Sequence, residues 1–197
     1  MLPELYLMFT KSQNHKSQKE MEKVSINKDI HLSEHFTLGE VCKTKHKTAD
    51  GNIPSHVAIE NLKNICEGWL EDLRYSYNML YGGASPDPSN GRGEEEIPVI
   101  ISSGYRSPEV NKLAGGSPNS NHLTGCAVDI RCMGKEQMIR YAGILLDIAD
   151  GTKRDFDELI FEQRGSACWL HFAVRPEKGG GADGQTRNRR RISFDIK

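Results

Sequence analysis

Between Pro54 and Leu80 the residues Val57, Ile59, Leu62, Ile65, Cys66, Trp69, Leu70 and Leu73 recur at three- and four-residue spacing, drawing one apolar stripe along a single long helix. Such a stripe must be buried against a second layer. Short strand-like runs supply it: Ile97-Pro98-Val99-Ile100-Ile101, Val128 to Cys132, and a final hairpin of Phe156 to Glu162 with Trp169 to Val174. The expected fold class is therefore α+β, with helices packed on a small antiparallel sheet.

Further signals set the organisation. Thr37 stands three residues before Glu40, the spacing of a capping box that opens a short helix. Ser107 to Leu113 reads as a brief helix with Pro108 in its first turn, and Lys135 to Ala149 as a second amphipathic helix. Gly82 to Glu96 and Lys178 to Gln185 are rich in turn formers and read as surface loops. Residues 11–29 are polar, lysine-rich and without apolar periodicity, and Met21 within them is a second candidate start. A flexible lead over 1–30 and one domain over 31–197 are expected.

With 197 residues, 37% of them hydrophobic, the chain can bury one good core but not two. A formal charge of −1 offers no general field for nucleic acid or an anionic membrane, and neither is expected as a partner. No run approaches the roughly 18 to 20 apolar residues of a membrane helix. The opening MLPELYLMFT leads into KSQNHKSQKEMEK instead of a small-residue cleavage site, so neither signal peptide nor anchor is expected and synthesis is read as cytoplasmic. The five cysteines (42, 66, 126, 132 and 168) are odd in number, scattered and embedded in apolar sequence, which reads as reduced core thiols.

The segment Ser120-Asn-His122-Leu-Thr-Gly125-Cys-Ala127-Val-Asp129 carries the chemistry. It sets an imidazole and a carboxylate seven residues apart across a glycine, where a loop enters a strand. Zinc accepts both donor types, and a catalytic zinc takes three protein ligands and keeps one position open for water. Of the seven histidines, His15, His31, His35, His46 and His56 lie in the polar lead or the early helical region, whereas His171 sits in a strand between Leu170 and Phe172 and is the natural third ligand. A strand histidine is also commonly a hydrogen-bonded core residue, and an aspartate at a strand end commonly a cap, so spacing alone leaves both readings open.

Ser120 to Asp129 resembles throughout the S-x-H-x-x-G-x-A-x-D signature of the zinc D-alanyl-D-alanine carboxypeptidase family, which includes phage endolysins and murein endopeptidases and shares its fold with the Hedgehog signalling domain. The resemblance extends to HFTLGE, to the I-x-S-S-G-Y-R-S segment at Ile100 to Ser107, to F-D-E-L-I-F-E, to W-L-H at Trp169 to His171 and to R-N-R-R at Arg187 to Arg190. It implies a Hedgehog/DD-peptidase-like fold, a Zn2+ cofactor held by His122, Asp129 and His171, and hydrolysis of a peptide bond in peptidoglycan stem peptides or cross-links by a monomeric, endolysin-like enzyme that reaches the wall after release. It also implies Arg106 beside the metal, on the substrate carboxylate or the developing oxyanion, with Tyr105 and Ser120 as further substrate contacts.

Such a site needs a general base. Several family members carry an acid three residues before the last histidine, where this chain has Cys168. If the final hairpin closes with an even-numbered loop, for example Gly165 to Cys168, Glu162 shares a face with His171 and sits opposite it, which makes Glu162 the candidate base ahead of Asp157 and Glu158. The run Arg187 to Arg191 either attracts an anionic wall or is solvated or paired. A non-catalytic, zinc-containing binding module on the same fold is the competing reading, favoured by the missing acid at Cys168.

Overall fold

The computed structural model describes residues 27–82, 96–176 and 188–196. Helix α1 (Leu38–Val41) opens on the reciprocal cap expected of it: Glu40 N donates to Thr37 Oγ1 at 3.3 Å and Thr37 N to Glu40 Oε2 at 2.9 Å. Residues just before it join the fold, because the carbonyls of Lys28 and Ile30 accept from Gly39 and Leu38.

The apolar stripe forms one helical run in three parts, α2 (His56–Ile65), a π-helical turn (Cys66–Leu70) and α3 (Glu71–Tyr81). Its apolar side, Leu62, Ile65, Cys66, Trp69, Leu70, Leu73 and Tyr77, is buried. The π turn was not foreseen; Arg154 donates to the Gly68 carbonyl within it. Helix α4 (Pro108–Leu113) begins with Ser107 as cap and Pro108 at its first position. Helix α5 (Lys135–Thr152) continues three residues beyond the expected Ala149.

The strands β1 (Ile101–Ser103), β2 (Ala127–Cys132), β3 (Glu158–Arg164), β4 (Ala167–Ala173) and β5 (Arg191–Ile196) form one sheet in the order β1-β2-β4-β3-β5. One face carries Val128, Ile130, Leu159, Leu170 and Phe172, all fully buried under the helices. Trp69 meets Phe172 edge-on at 5.0 Å and Tyr77 meets Tyr141 at 4.7 Å, fastening the π turn to the sheet and α3 to α5. Because strand side chains alternate, Asp129, Glu158, Glu162, Trp169 and His171 share the other face.

Two expectations are corrected. The strand over 97–101 begins only at Ile101: Pro98 has no N–H to give a ladder, Ile100 is 42% exposed, and only its carbonyl, accepting from Arg131 N, extends the pairing. The sheet is mixed instead of antiparallel, because β5 runs parallel to β3 from Glu158↔Arg191 to Gln163↔Ile196. The basic run takes the paired alternative expected for it, with Arg190 on Asp150 and Asp155 and Arg189 on Asp157 and Glu158. The expected loop at Lys178 to Gln185, all but the ends of the one at Gly82 to Glu96, and the lead up to residue 26 lie outside the described residues. All five cysteines are buried free thiols, and among the described residues no helix is long and apolar enough to cross a membrane.

Candidate metal centre

His122 belongs to a one-turn 3-10 helix, Asn121–Thr124, whose cap Ser120 accepts from His122 N at 3.4 Å. Gly125 ends that turn at φ +72°, and a Cβ there would stand 2.3 Å from the Ala58 carbonyl oxygen, so both backbone conformation and space demand glycine. The chain then enters β2, where Asp129 is paired with His171 of β4 on one side and Ser103 of β1 on the other. The seven-residue spacing thus spans one turn and half a strand.

His122 Nε2, Asp129 Oδ1 and His171 Nδ1 converge: 3.2 Å between the first two, 3.1 Å between the last two and 3.2 Å between the imidazoles. All three residues are buried. The protonation of the rings is set from behind. His122 Nδ1 is 2.5 Å from the Gly104 carbonyl, which can only accept, so the proton of a neutral ring sits there. His171 Nε2 faces Glu158 Oε2 at 3.5 Å, which places its proton on that side. With both rings neutral in these tautomers, three lone pairs meet at one point, an arrangement that a cation completes. A tetrahedral zinc with bonds near 2.0–2.1 Å sets its ligand atoms about 3.3 Å apart, so the donor set fits zinc in kind and spacing.

The charges agree. Burial opposes ionisation of Asp129, yet His122 and His171 hold its carboxyl far below the usual carboxylate range. Burial pushes the His122 imidazole down. It also opposes charge on His171, but Asp129 and Glu158 outweigh it and raise that imidazole to about 9, so without a metal a proton takes the cation's place.

Around the triad, Arg106 donates through Nη2 to Asp129 Oδ2 and through Nε to Ser103 Oγ at 2.9 Å. Its loop is held by buried Asn52, which donates to the carbonyls of Cys42 and Tyr105 and accepts from Ser107 N at 2.7 Å. Ser120 caps its own turn. The ring of Tyr105 lies in the hydrophobic core, so the structure does not bring this expected substrate contact to the triad.

The hairpin closes through Gly165 and Ser166 alone, an even-numbered loop shorter than the example considered. Glu162 thus shares the face of His171, but its opposite neighbour is Trp169, whose Nε1 donates to Glu162 Oε2, while Ile160 stands opposite His171. Burial, helped by the charge of Asp129, pushes the Glu162 carboxyl up. Glu158 is the carboxylate that meets His171; Asp157, itself fully buried, turns away to Arg175, Arg189 and Asn121. Cys168, three residues before His171 on a regular strand, faces the helices with Leu170's core neighbours and cannot reach the metal point. Asn52 and Asn121 are not among the candidate residues, and only contacts distant in sequence reveal them and the placing of Glu158 beside His171.

A family model described as peptidase M15 matches residues 91–146. That stretch includes Arg106, Ser120, His122 and Asp129 and ends before His171. No curated protein matches the chain.

Proposed function

We propose that the chain is a zinc metallopeptidase of the M15 family that hydrolyses a peptide bond in peptidoglycan stem peptides or cross-links, as a D,D-carboxypeptidase or endopeptidase of the endolysin type. The observation that carries the reading is the convergence of His122 Nε2, Asp129 Oδ1 and His171 Nδ1 on one point, in a chain whose central part is similar to peptidases. Among the described residues three ligands converge, a number that leaves a coordination position for water.

When bound, zinc supplies a water acidified towards a pKa of about 7 and polarises the scissile carbonyl. Glu162, its basicity raised by burial and its carboxylate steadied by Trp169, takes the proton of the attacking water and passes it to the leaving amine. Arg106, braced by Ser103 and Asp129, meets the substrate's free carboxylate or the oxyanion.

The test is to incubate the zinc-loaded protein with purified sacculi and to identify the fragments by mass spectrometry. New amino and carboxyl termini within the stem peptides are expected, and they name the bond. A non-catalytic, zinc-containing binding module is the second reading, favoured by the lack of an acid three residues before His171. Protein that adheres to sacculi and leaves them uncut would replace the enzyme with that module.

A further inference from the structure

Glu158 lies at the start of β3, on the metal face, two residue pairs from Ile160↔His171. Its two oxygens have different partners. Oε2 faces His171 Nε2 at 3.5 Å and accepts from Asn121 Nδ2 at 3.2 Å. Oε1 accepts from Arg189 Nη2 at 2.8 Å and Arg191 Nη1 at 3.2 Å. Asn121 immediately precedes His122, so one carboxylate touches the segments that bear two of the three ligands. Both arginines arrive with β5, whose parallel pairing begins at Glu158↔Arg191.

We infer that Glu158 is a positioning residue for the metal centre: it holds the proton of His171 on Nε2, turns Nδ1 to the metal, and is itself oriented by Arg189 and Arg191 of the carboxy-terminal segment. The inference rests on the zinc-site reading above. A ligating imidazole is fixed by what its other nitrogen meets, and a carboxylate there sets the tautomer, aims the ring and strengthens the donor. Two guanidiniums on Oε1 keep Glu158 ionised and stop it rotating away, leaving Oε2 for His171 and Asn121. The arginine run, far from the ligands in sequence, thus acts on the metal centre from within the fold. It also separates the roles of the two glutamates on this face: Glu158 is occupied by His171, and Glu162, beyond Ile160, is the one left for substrate water.

The experiment measures zinc affinity by competition with a chromophoric chelator in the full chain, for wild type, Glu158→Ala, Glu158→Gln and Arg191→Met, together with the His171 ring signals by 1H–15N NMR of the zinc-loaded proteins. Wild type is expected to bind one zinc and to show a slowly exchanging His171 Nε2–H. Glu158→Ala is expected to lose roughly 10- to 100-fold in zinc affinity, the usual effect of deleting such a partner, and to lose the protected proton. Glu158→Gln keeps an acceptor oxygen without the charge, so it should retain the signal, shifted, with a smaller loss of affinity. It carries the test if the alanine variant does not fold. Arg191→Met should lie between wild type and Glu158→Ala. Zinc affinity and ring signals indistinguishable from wild type in the Glu158 variants overturn the inference while leaving the zinc site intact, and loss of turnover with unchanged affinity makes Glu158 the base instead. A wild-type chain that takes up no zinc overturns this inference and the proposed function together.

Discussion

His122, Asp129 and His171 bring three donor atoms to one point, and each is expected to be indispensable for holding zinc there. His122→Ala, Asp129→Ala and His171→Ala should each lose bound zinc by elemental analysis, because two remaining protein ligands do not fix the ion; full occupancy in all three would refute the site. Glu162→Gln keeps the shape of the side chain and removes its basicity, so zinc content should persist while turnover on sacculi falls by roughly 10² to 10⁴. Survival of turnover in that variant, with collapse in Asp157→Asn or Glu158→Gln, would move the base along the strand. Arg106→Ala is expected to cost about 2.7 to 4 kcal/mol in transition-state stabilisation, with lysine a poor replacement because it lacks the guanidinium fork. Since Arg106 also braces Asp129, zinc affinity of the variant must be measured beside turnover to separate the two effects.

At the level of elements, the turn Asn121–Thr124 and strand β2 convert a ten-residue motif into a ligand pair, and Gly125 is the joint. Gly125→Ala should be destabilised by at least about 1–2 kcal/mol from the left-handed backbone alone, with a further loss as α2 yields around Ala58, and should hold zinc less tightly. A lowered urea midpoint together with weaker chelator competition checks this, and an unchanged midpoint contradicts it. The hairpin shows what spacing can and cannot settle. Parity put Glu162 on the face of His171, since any even-numbered loop does so, but the loop length decides which residues stand opposite, and a two-residue loop brings Trp169 to Glu162 and Ile160 to His171. The alternation Ile192, Phe194, Ile196 is a period-two signal for β5 that the arginine run before it obscured.

Across the whole molecule, β5 and the arginines ahead of it close the sheet onto the acids at the start of β3. Asp157 is fully buried and paired with buried Arg175 and exposed Arg189; burial opposes its charge, but these arginines and Asn121 hold its carboxyl below the ordinary value near 3.9. A depressed folded-state pKa contributes stability that is fully present above the unfolded value and is lost as pH falls through the lower folded one. Asp157→Asn is therefore expected to be less stable at neutral pH by about 3–5 kcal/mol, the cost of breaking a buried pair, and to have a flatter acid limb, so that the two stability curves converge below about pH 4. Urea unfolding between acid and neutral pH measures both, and parallel curves would mean that Asp157 does not set the acid limb.

The sequence by itself determined the helical stripe, the α+β class, the capped helices and the pairing of His122 with Asp129, because each depends on residues within a turn or a strand of one another. Only the tertiary structure decided how the sheet closes on β5, that Asn52 holds the Arg106 loop, and that Glu158, not Glu162, meets His171. Those contacts join residues 13 to 55 positions apart, and nothing local encodes which of several carboxylates on one strand meets a given imidazole: strand register, and the loop that sets it, makes that choice.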